Sequence, residues 1–458
     1  MHTSANILFL VFGLLALVAA SPTNMVQKRG VYKVERVRNP NFSARNGPRA
    51  LLKALRKYRM PVPASVLSAV EKQNELISKR EPRRRKGKGQ GVAAAAAATS
   101  SGKSKAGAGK GNAGNGGAIL AHQQAATANT NGTGLVVNTP QPEDVEYLSP
   151  VNIGGQIMNL DFDTGSSDLW VFNTQLSAAA TQGHELFDAT KSKTFKLIQN
   201  AQFEVSYGDG SGAAGIVGTD VVNIGGAEVQ NQAVELATAV TQSFVQDTAT
   251  DGLLGLAFSK LNTVQPQQQK TFFDNVMSSL AEPLFTADLR PGANGAYEFG
   301  NIDTSKFTGD MTFVAVNTTQ GFWQFASETF AINGGKTQTS TSGNQAIADT
   351  GTTLLLADPI VAEAYYAQVQ GAQNDAQQGG FTFPCSATLP DLQLAVGDSA
   401  LATVKGSDIN FAPVDGQTCF GGLQAGSAGL QVYGDIFFKS NFVVFNGGNN
   451  TLGFAQHV

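Results

Sequence analysis

Leu160-Asp161-Phe162-Asp163-Thr164-Gly165-Ser166 and Ile347-Ala348-Asp349-Thr350-Gly351-Thr352 are the residues of this chain best suited to chemistry, and their two central acids stand 186 positions apart. Each is an apolar stretch ending in Asp-Thr-Gly-Ser/Thr. Apolar residues resume beyond each, at Leu169-Trp170-Val171 and Leu354-Leu355-Leu356. A second shared element follows at similar offsets, Leu253-Leu254-Gly255 and Val432-Tyr433-Gly434. A chain that repeats an acid in one setting reads as a duplication. Two such carboxyls brought together across a pseudo-twofold axis can share one proton, which is the core of a hydrolytic mechanism. One motif alone would read equally well as a turn acid capping nearby N–H groups. A calcium loop starting Asp161-x-Asp163-x-Gly165 fails, because Gly holds the fifth position and Phe172 stands where a bidentate Glu belongs.

The rest of the composition narrows the chemistry. There are four histidines, and His2, His122, His184 and His457 leave almost nothing for a Ser/His or Cys/His triad or a His-rich zinc site. The reaction has to rest on carboxylates, with no metal and no cofactor. A glycosidase is the other class that uses two acids, but its acids need not sit in repeated Asp-Thr-Gly turns.

The stretch 143–458 resembles the pepsin-like aspartic endopeptidases. The motifs are Asp163-Thr-Gly-Ser-Ser-Asp-Leu-Trp-Val171, the turn Tyr207-Gly208-Asp209-Gly210-Ser211, and Asp349-Thr-Gly-Thr-Thr353. It looks most like the secreted fungal members, as in Asp251-Gly-Leu-Leu-Gly-Leu-Ala-Phe258 and Gln269-Lys-Thr-Phe-Phe-Asp274. The resemblance implies an all-β, bilobal fold with two pseudo-twofold-related lobes and a cleft between them. Asp163 and Asp349 then carry the reaction, held ~3 Å apart so that both cannot ionise cheaply. One takes a proton from water while the other hydrogen-bonds the scissile carbonyl, and no covalent intermediate forms. Gly165 and Gly351 let the backbone approach the carboxyls. Ser166 and Thr352 are expected to bond their outer oxygens, and Thr164 and Thr350 to lock the paired turns.

The same resemblance makes 207–212 the tip of a mobile flap, with Tyr207 closing over substrate and its hydroxyl within reach of Trp170. Phe244, Leu253 and Tyr207 match the apolar wall before the scissile bond. Phe322, Leu356 and Thr353 are candidates for later subsites, although any of the apolar ones can equally be core. Gly208 and Asp209 lie on the flap, and Asp209 or Asp161 could accept a substrate lysine. Preference for large apolar residues on both sides of the bond follows. A catalytically silent relative, serving as a binding or inhibitor module, is the competing reading; both acidic turns and Tyr207 are intact here.

Around these residues the chain divides into stretches of different texture. Residues 1–20 read as a signal peptide, with the apolar run 5–20 too short to span a bilayer and small residues before Ser21. Residues 21–110 hold 22 Lys/Arg against 4 Asp/Glu, whereas 111–458 hold 10 against 31. A basic arm often means nucleic acid; here a signal sequence and an acidic body favour an intramolecular partner instead. The stretch 21–86 is therefore expected to be a basic prosegment lying on the enzyme, loosened by acid as carboxylates protonate. Leu51, Leu52, Leu55 and Tyr58 share a helical face, and by resemblance Lys57 and Tyr58 plug the cleft. Residues 87–140 form a low-complexity linker, longer than the family pattern suggests, with processing possible at Lys79-Arg80, Arg83-Arg84-Arg85 or near Leu135.

From 143 onward short Val-, Thr- and Phe-rich runs punctuated by Gly and Asn read as strands, with the few helices expected mainly near 269–280 and 358–369. A lobe boundary is placed between 141–314 and 315–458. Cys385 and Cys419, an even pair in a secreted chain, read as one disulfide, and the family has a bridge at the matching place. Sequons occur at Asn41, Asn131, Asn317 and Asn449. The protein is expected to be a secreted monomer acting on proteins and peptides, with no nucleic-acid partner, no membrane partner and no C-terminal anchor; retention in a vacuole is the lesser alternative.

Overall fold

The computed structural model describes residues 31–34, 46–80, 133–134, 139–140, 147–207, 210–398 and 400–458. The expected signal peptide, much of the linker, and Gly208 and Asp209 lie outside them.

Alternation and turn chemistry build the first lobe. Strands Tyr147–Ile153 and Gln156–Asp163 pair antiparallel from Leu148↔Asp161 to Ile153↔Gln156. Gly154 and Gly155, both at positive φ, form the two-residue turn between them, and Asn152 Oδ1 accepts the Gly155 N–H at 2.9 Å. Six further strands complete an eight-stranded sheet, in the order Thr139–Pro140, Tyr147–Ile153, Gln156–Asp163, Gly252–Gly255, Leu169–Val171, Ala227–Val240, Gly212–Ile224, Lys196–Ser206. A further pairing of Tyr147–Ile153 with Gly212–Ile224 folds this sheet back on itself. The expected flap tip 207–212 lies at the end of the hairpin strands Lys196–Ser206 and Gly212–Ile224.

The second lobe repeats the central motif in a five-stranded sheet: Gln324–Ala326, Gln345–Ala348, Leu430–Tyr433, Leu355–Ala357, Leu423–Ala425. In the first lobe Leu253, Leu254 and Gly255 lie parallel to Asp161, Phe162 and Asp163. In the second, Val432 and Tyr433 lie parallel to Ile347 and Ala348. The shared elements of the sequence are thus the strands flanking each acidic turn. Two four-stranded sheets finish this lobe, and Cys385 and Cys419 are disulfide-bonded, with Cα atoms 4.9 Å apart. Helices are few here: Phe272–Val276 lies within the expected 269–280, and Pro359–Tyr366 within 358–369.

A seven-stranded sheet joins the halves, in the order Phe307–Ala315, Thr451–His457, Asn441–Asn446, Leu284–Asp288, Ala296–Phe299, Val31–Val34, Thr133–Gly134. The expected boundary at 314/315 therefore falls at the end of a strand of this shared sheet. Above it Trp323, Phe285 and Phe445 form one aromatic cluster, and the Trp323 indole donates to Leu256 O across the halves at 2.9 Å.

The N-terminal segment is docked on this body. Val31–Val34 pairs antiparallel with Ala296–Phe299, and Thr133–Gly134 adds in parallel at its outer edge. The stretch 87–140 consequently contains two short strands, Thr133–Gly134 and Thr139–Pro140, rather than linker throughout. The helix Gly47–Lys57 starts at Asn46, whose side chain accepts the Arg49 N–H, and buries Leu51, Leu52, Ala54 and Leu55. It carries Arg56 and Lys57 in its last turn, favourable to the helix dipole. A second helix, Ala64–Arg80, buries Val66 and Ala69. Both rest on the second lobe: Gly47 abuts the Phe420 ring, and Gly379 abuts the Val66 backbone.

Candidate active site

Asp163 ends the strand Gln156–Asp163, and Asp349 follows the strand Gln345–Ala348. Their exposures are 1% and 0%. Two threonines tie the turns together. Thr164 N–H donates to Thr350 Oγ1 at 3.2 Å and Thr350 N–H to Thr164 Oγ1 at 2.9 Å. Each hydroxyl also donates across to the opposite strand, Thr164 to Ala348 O at 2.9 Å and Thr350 to Phe162 O at 2.6 Å.

The glycines that follow let each turn touch the other lobe's acid. A Cβ on Gly165 would stand 2.5 Å from Asp349 Oδ1; one on Gly351 would stand 2.3 Å from Asp163 Oδ1. Any side chain there would push the carboxyls apart. Gly165 N–H donates to Asp163 Oδ1 at 2.7 Å and Gly351 N–H to Asp349 Oδ1 at 3.0 Å. Ser166 Oγ donates to Asp163 Oδ2 at 2.7 Å, and Thr352 Oγ1 donates to Asp349 Oδ2.

Lys57 and Tyr58 reach this pair from the N-terminal helix. Lys57 Nζ lies 2.9 Å from Asp163 Oδ1, and 3.1 and 2.9 Å from Asp349 Oδ1 and Oδ2. Tyr58 Oη donates to Asp349 Oδ2 at 2.7 Å, and its ring meets Phe322 edge-on at 5.5 Å. Burial pushes both carboxyls up. At Asp349 the Lys57 charge and hydrogen bonds involving Asp163, Thr352 and Tyr58 outweigh burial and bring it down to about 2. At Asp163, burial and the neighbouring Asp349 charge prevail, so it is raised. The same two aspartates hold Lys57 above its ordinary value although burial opposes this.

Tyr207 stands at the base of the flap turn, its N–H donated to Ser211 O at 2.8 Å, and its hydroxyl accepts from Trp170 Nε1 at 2.9 Å. Phe244 packs edge-on against both, 4.8 Å from Trp170 and 5.8 Å from Tyr207, with Leu253 in the same apolar cluster. Thr353 and Phe322 are half-buried. Two expected subsite residues sit deeper. Leu356, in the strand Leu355–Ala357, is fully buried with the N-terminal segment docked. Asp161, opposite Leu148 and Leu253 in the sheet, is also buried. Asp209 lies outside the described residues.

Sequence reasoning passed over Asp168 and Glu235, two further buried acids close to the Asp163 turn. The available signal was the repeat itself, which has Asp168 where its second copy has Leu354. It also passed over Val31–Val34, whose Val-Tyr-Lys-Val alternation is that of a strand.

The arrangement is two buried carboxyls, each bonded by the turn that carries it, facing one another and bridged by a cation. Comparison with known proteins agrees. Residues 146–457 match the family model described as eukaryotic aspartyl protease. The chain is 52% identical over 338 residues to "Aspartic protease PEP3" of Coccidioides posadasii, covering 71% of this chain and 76% of the relative. It is 48% identical to "Penicillopepsin-1" of Penicillium rubens, covering 74% and 83%. It is 43% identical over 435 residues to "Endothiapepsin" of Cryphonectria parasitica, covering 93% and 90%, a match that includes much of the N-terminal segment. With paired Asp-Thr-Gly turns at the junction of two β lobes and a family match over most of its length, the chain belongs to the eukaryotic aspartyl proteases of the pepsin-like fungal group and is an aspartic endopeptidase.

Proposed function

We propose that the protein is a secreted endopeptidase made as a zymogen, and that Asp163 and Asp349 hydrolyse peptide bonds at acid pH through a water held between them. The observation that carries this reading is the Lys57 ammonium, bound by three carboxylate oxygens at 2.9–3.1 Å. A water taking its place after the segment leaves would meet the same oxygens. The ionised member of the pair then removes a proton from that water, and the protonated member donates to the scissile carbonyl, giving a tetrahedral diol. On return of the proton the diol collapses and the amine leaves. Ser166 and Thr352, bonded to the outer oxygens, favour a negative charge on each acid and so help to fix which one holds the proton.

Specificity rests on Tyr207, Phe244 and Leu253 before the scissile bond, with Phe322 beyond it, and favours large apolar residues on both sides. Closure of the 207–212 turn over substrate would exclude water and align the bond. The basic segment 21–86 is the intramolecular inhibitor in this reading, and Asn317 and Asn449 are the glycan acceptors of the mature part. The test is hydrolysis of a peptide library at about pH 4 with and without pepstatin. Inhibition to completion and selection for apolar residues are expected. Activity that survives saturating inhibitor would mean another mechanism, and indifference to side chains would remove the specificity claim.

A further inference from the structure

The first acidic turn runs on through Ser167 to Asp168, and its repeat runs on through Thr353 to Leu354. Both positions are buried, Asp168 at 1% and Leu354 at 0% exposure. The same turn is built once with an acid and once with a leucine, so its backbone does not require the acid. The partner of Asp168 is another acid. Glu235, 1% exposed on the strand Ala227–Val240, lies opposite Trp170 in parallel register. Asn262 bridges them, its Nδ2 donating to Asp168 Oδ1 at 2.9 Å and to Glu235 Oε1 at 3.0 Å. That amide cannot be turned around, because its Oδ1 accepts the N–H groups of Val264 at 3.2 Å and Gln269 at 2.8 Å. Thr263 adds its N–H and hydroxyl to Asp168 Oδ1 at 2.8 and 3.1 Å. Neither carboxyl has an ion pair among the described residues. Glu235 Oε2 is buried with no hydrogen-bond partner, and the one Asn262 amide nitrogen holds Asp168 Oδ1 and Glu235 Oε1 beside each other. Two buried carboxyls gathered on one amide with no cation cannot both ionise cheaply, which favours one of them keeping its proton.

We propose that Asp168 and Glu235 share a single proton and form a positioning pair that confines the folded first lobe to acid and mildly acid solution. Glu235 holds the proton and donates it to Asp168. The other titratable groups that reach the pair are Asp163, from the same turn, and Tyr207, from the flap hairpin. Both are acids, so nothing there compensates a second ionisation. Burial and the Asp168 charge raise Glu235 well above the usual carboxylate range, and burial raises Asp168. A carboxyl raised by folding stabilises the fold fully below its unfolded value of about 4.3, and that contribution is lost as pH rises through the folded value. Loss of the shared proton puts two charges between the Asp163 turn, the Trp170 strand and the 262–263 loop. The part of the lobe that yields is the part that holds Asp163.

The inference stands on the fold and not on the catalytic reading, and its test can be read without activity. The full chain carrying Asp349→Asn, to suppress self-cleavage, is titrated from about pH 4 to about pH 9 by tryptophan fluorescence. Glu235→Gln on the same background keeps the shape and donates an N–H to Asp168, making the protonated arrangement permanent. Its unfolding midpoint should move up by about one pH unit or more, and Asp168→Asn should move it the same way. An unchanged or lower midpoint for Glu235→Gln overturns the proposal. So does failure of that variant to fold at about pH 4, where it presents the same charges as the parent. Self-cleavage by the Asp349→Asn background, seen on a gel, would count against the catalytic reading alone.

Discussion

Thr164 and Thr350 each give their backbone N–H to the other's hydroxyl, although 186 residues separate them. The exchange ties the two halves together directly beside the acid pair, and with the Thr350 hydroxyl's bond to Phe162 O it helps to set how far apart Asp163 and Asp349 stand. Thr164→Val keeps the shape but leaves Thr350 N–H and Ala348 O without partners. We expect a loss of about 2–4 kcal/mol in stability, read from denaturant midpoints, together with at least a tenfold drop in kcat. An unaltered kcat would mean that the turns hold register without this exchange.

Asp163→Asn and Asp349→Asn each remove one ionisable member of the pair while preserving shape. Each should abolish turnover and self-processing together, since neither can then hold the single shared proton. Gel analysis at about pH 4 checks both at once. Either variant retaining full activity would refute the assignment.

The pH dependence of the Lys57 latch follows from the lowered Asp349. A carboxyl depressed in the docked state contributes above its ordinary range, and the contribution is lost only as pH falls through the docked value, here about 2. The ammonium–aspartate contact therefore persists in moderate acid. Release at milder pH must come from the other carboxylates of the acidic body facing the basic segment. Lys57→Ala in the full chain should hence hydrolyse peptide at about pH 6 at least tenfold faster than the unprocessed parent. Equal rates would show that the helix blocks the cleft without its ammonium.

Tyr207→Phe leaves the Trp170 indole N–H without the acceptor it has at 2.9 Å. An unpaired buried donor costs about 1–3 kcal/mol, and the loss falls on the closed hairpin. A ten- to hundredfold fall in kcat/KM is expected. A fall of the same size in Phe244→Leu with Tyr207 intact would place the effect in apolar packing instead.

Replacing Cys385 and Cys419 by Ala opens a loop of 34 residues' separation. Chain-entropy reasoning gives a loss of about 3–4 kcal/mol, visible as a lowered midpoint for the second lobe. Because the bridge lies at a four-stranded sheet that carries neither acidic turn, kcat at low temperature should change little.

The acid pair was legible in the sequence because duplication displays its own constraint. Only residues that must meet across the axis need to be the same in both copies, and Asp163, Thr164 and Gly165 return as Asp349, Thr350 and Gly351. Lys57 and Tyr58 were legible through resemblance to the family's prosegments, whereas helical spacing showed only that Tyr58 shares a face with Leu51, Leu52 and Leu55. Apolar residues were harder to read. Leu356 and Phe322 are alike in hydropathy, yet one is fully buried in a strand while the other is half-buried and meets the Tyr58 ring. Asp168 escaped because a polar residue in a turn looks solvated until Glu235 and Asn262, both distant in sequence, are seen to close around it.

Val31–Val34 and Thr133–Gly134 lie side by side as neighbouring strands, with the two helices of the N-terminal segment between them in the chain. A cut anywhere in 81–132 would therefore sever the polypeptide without parting the fragments. Hydrolysis of the connecting stretch and appearance of a free cleft become separate events. The second is a unimolecular peeling of a strand, two helices and a buried ammonium, whose rate is set by the fold and not by the amount of protease added.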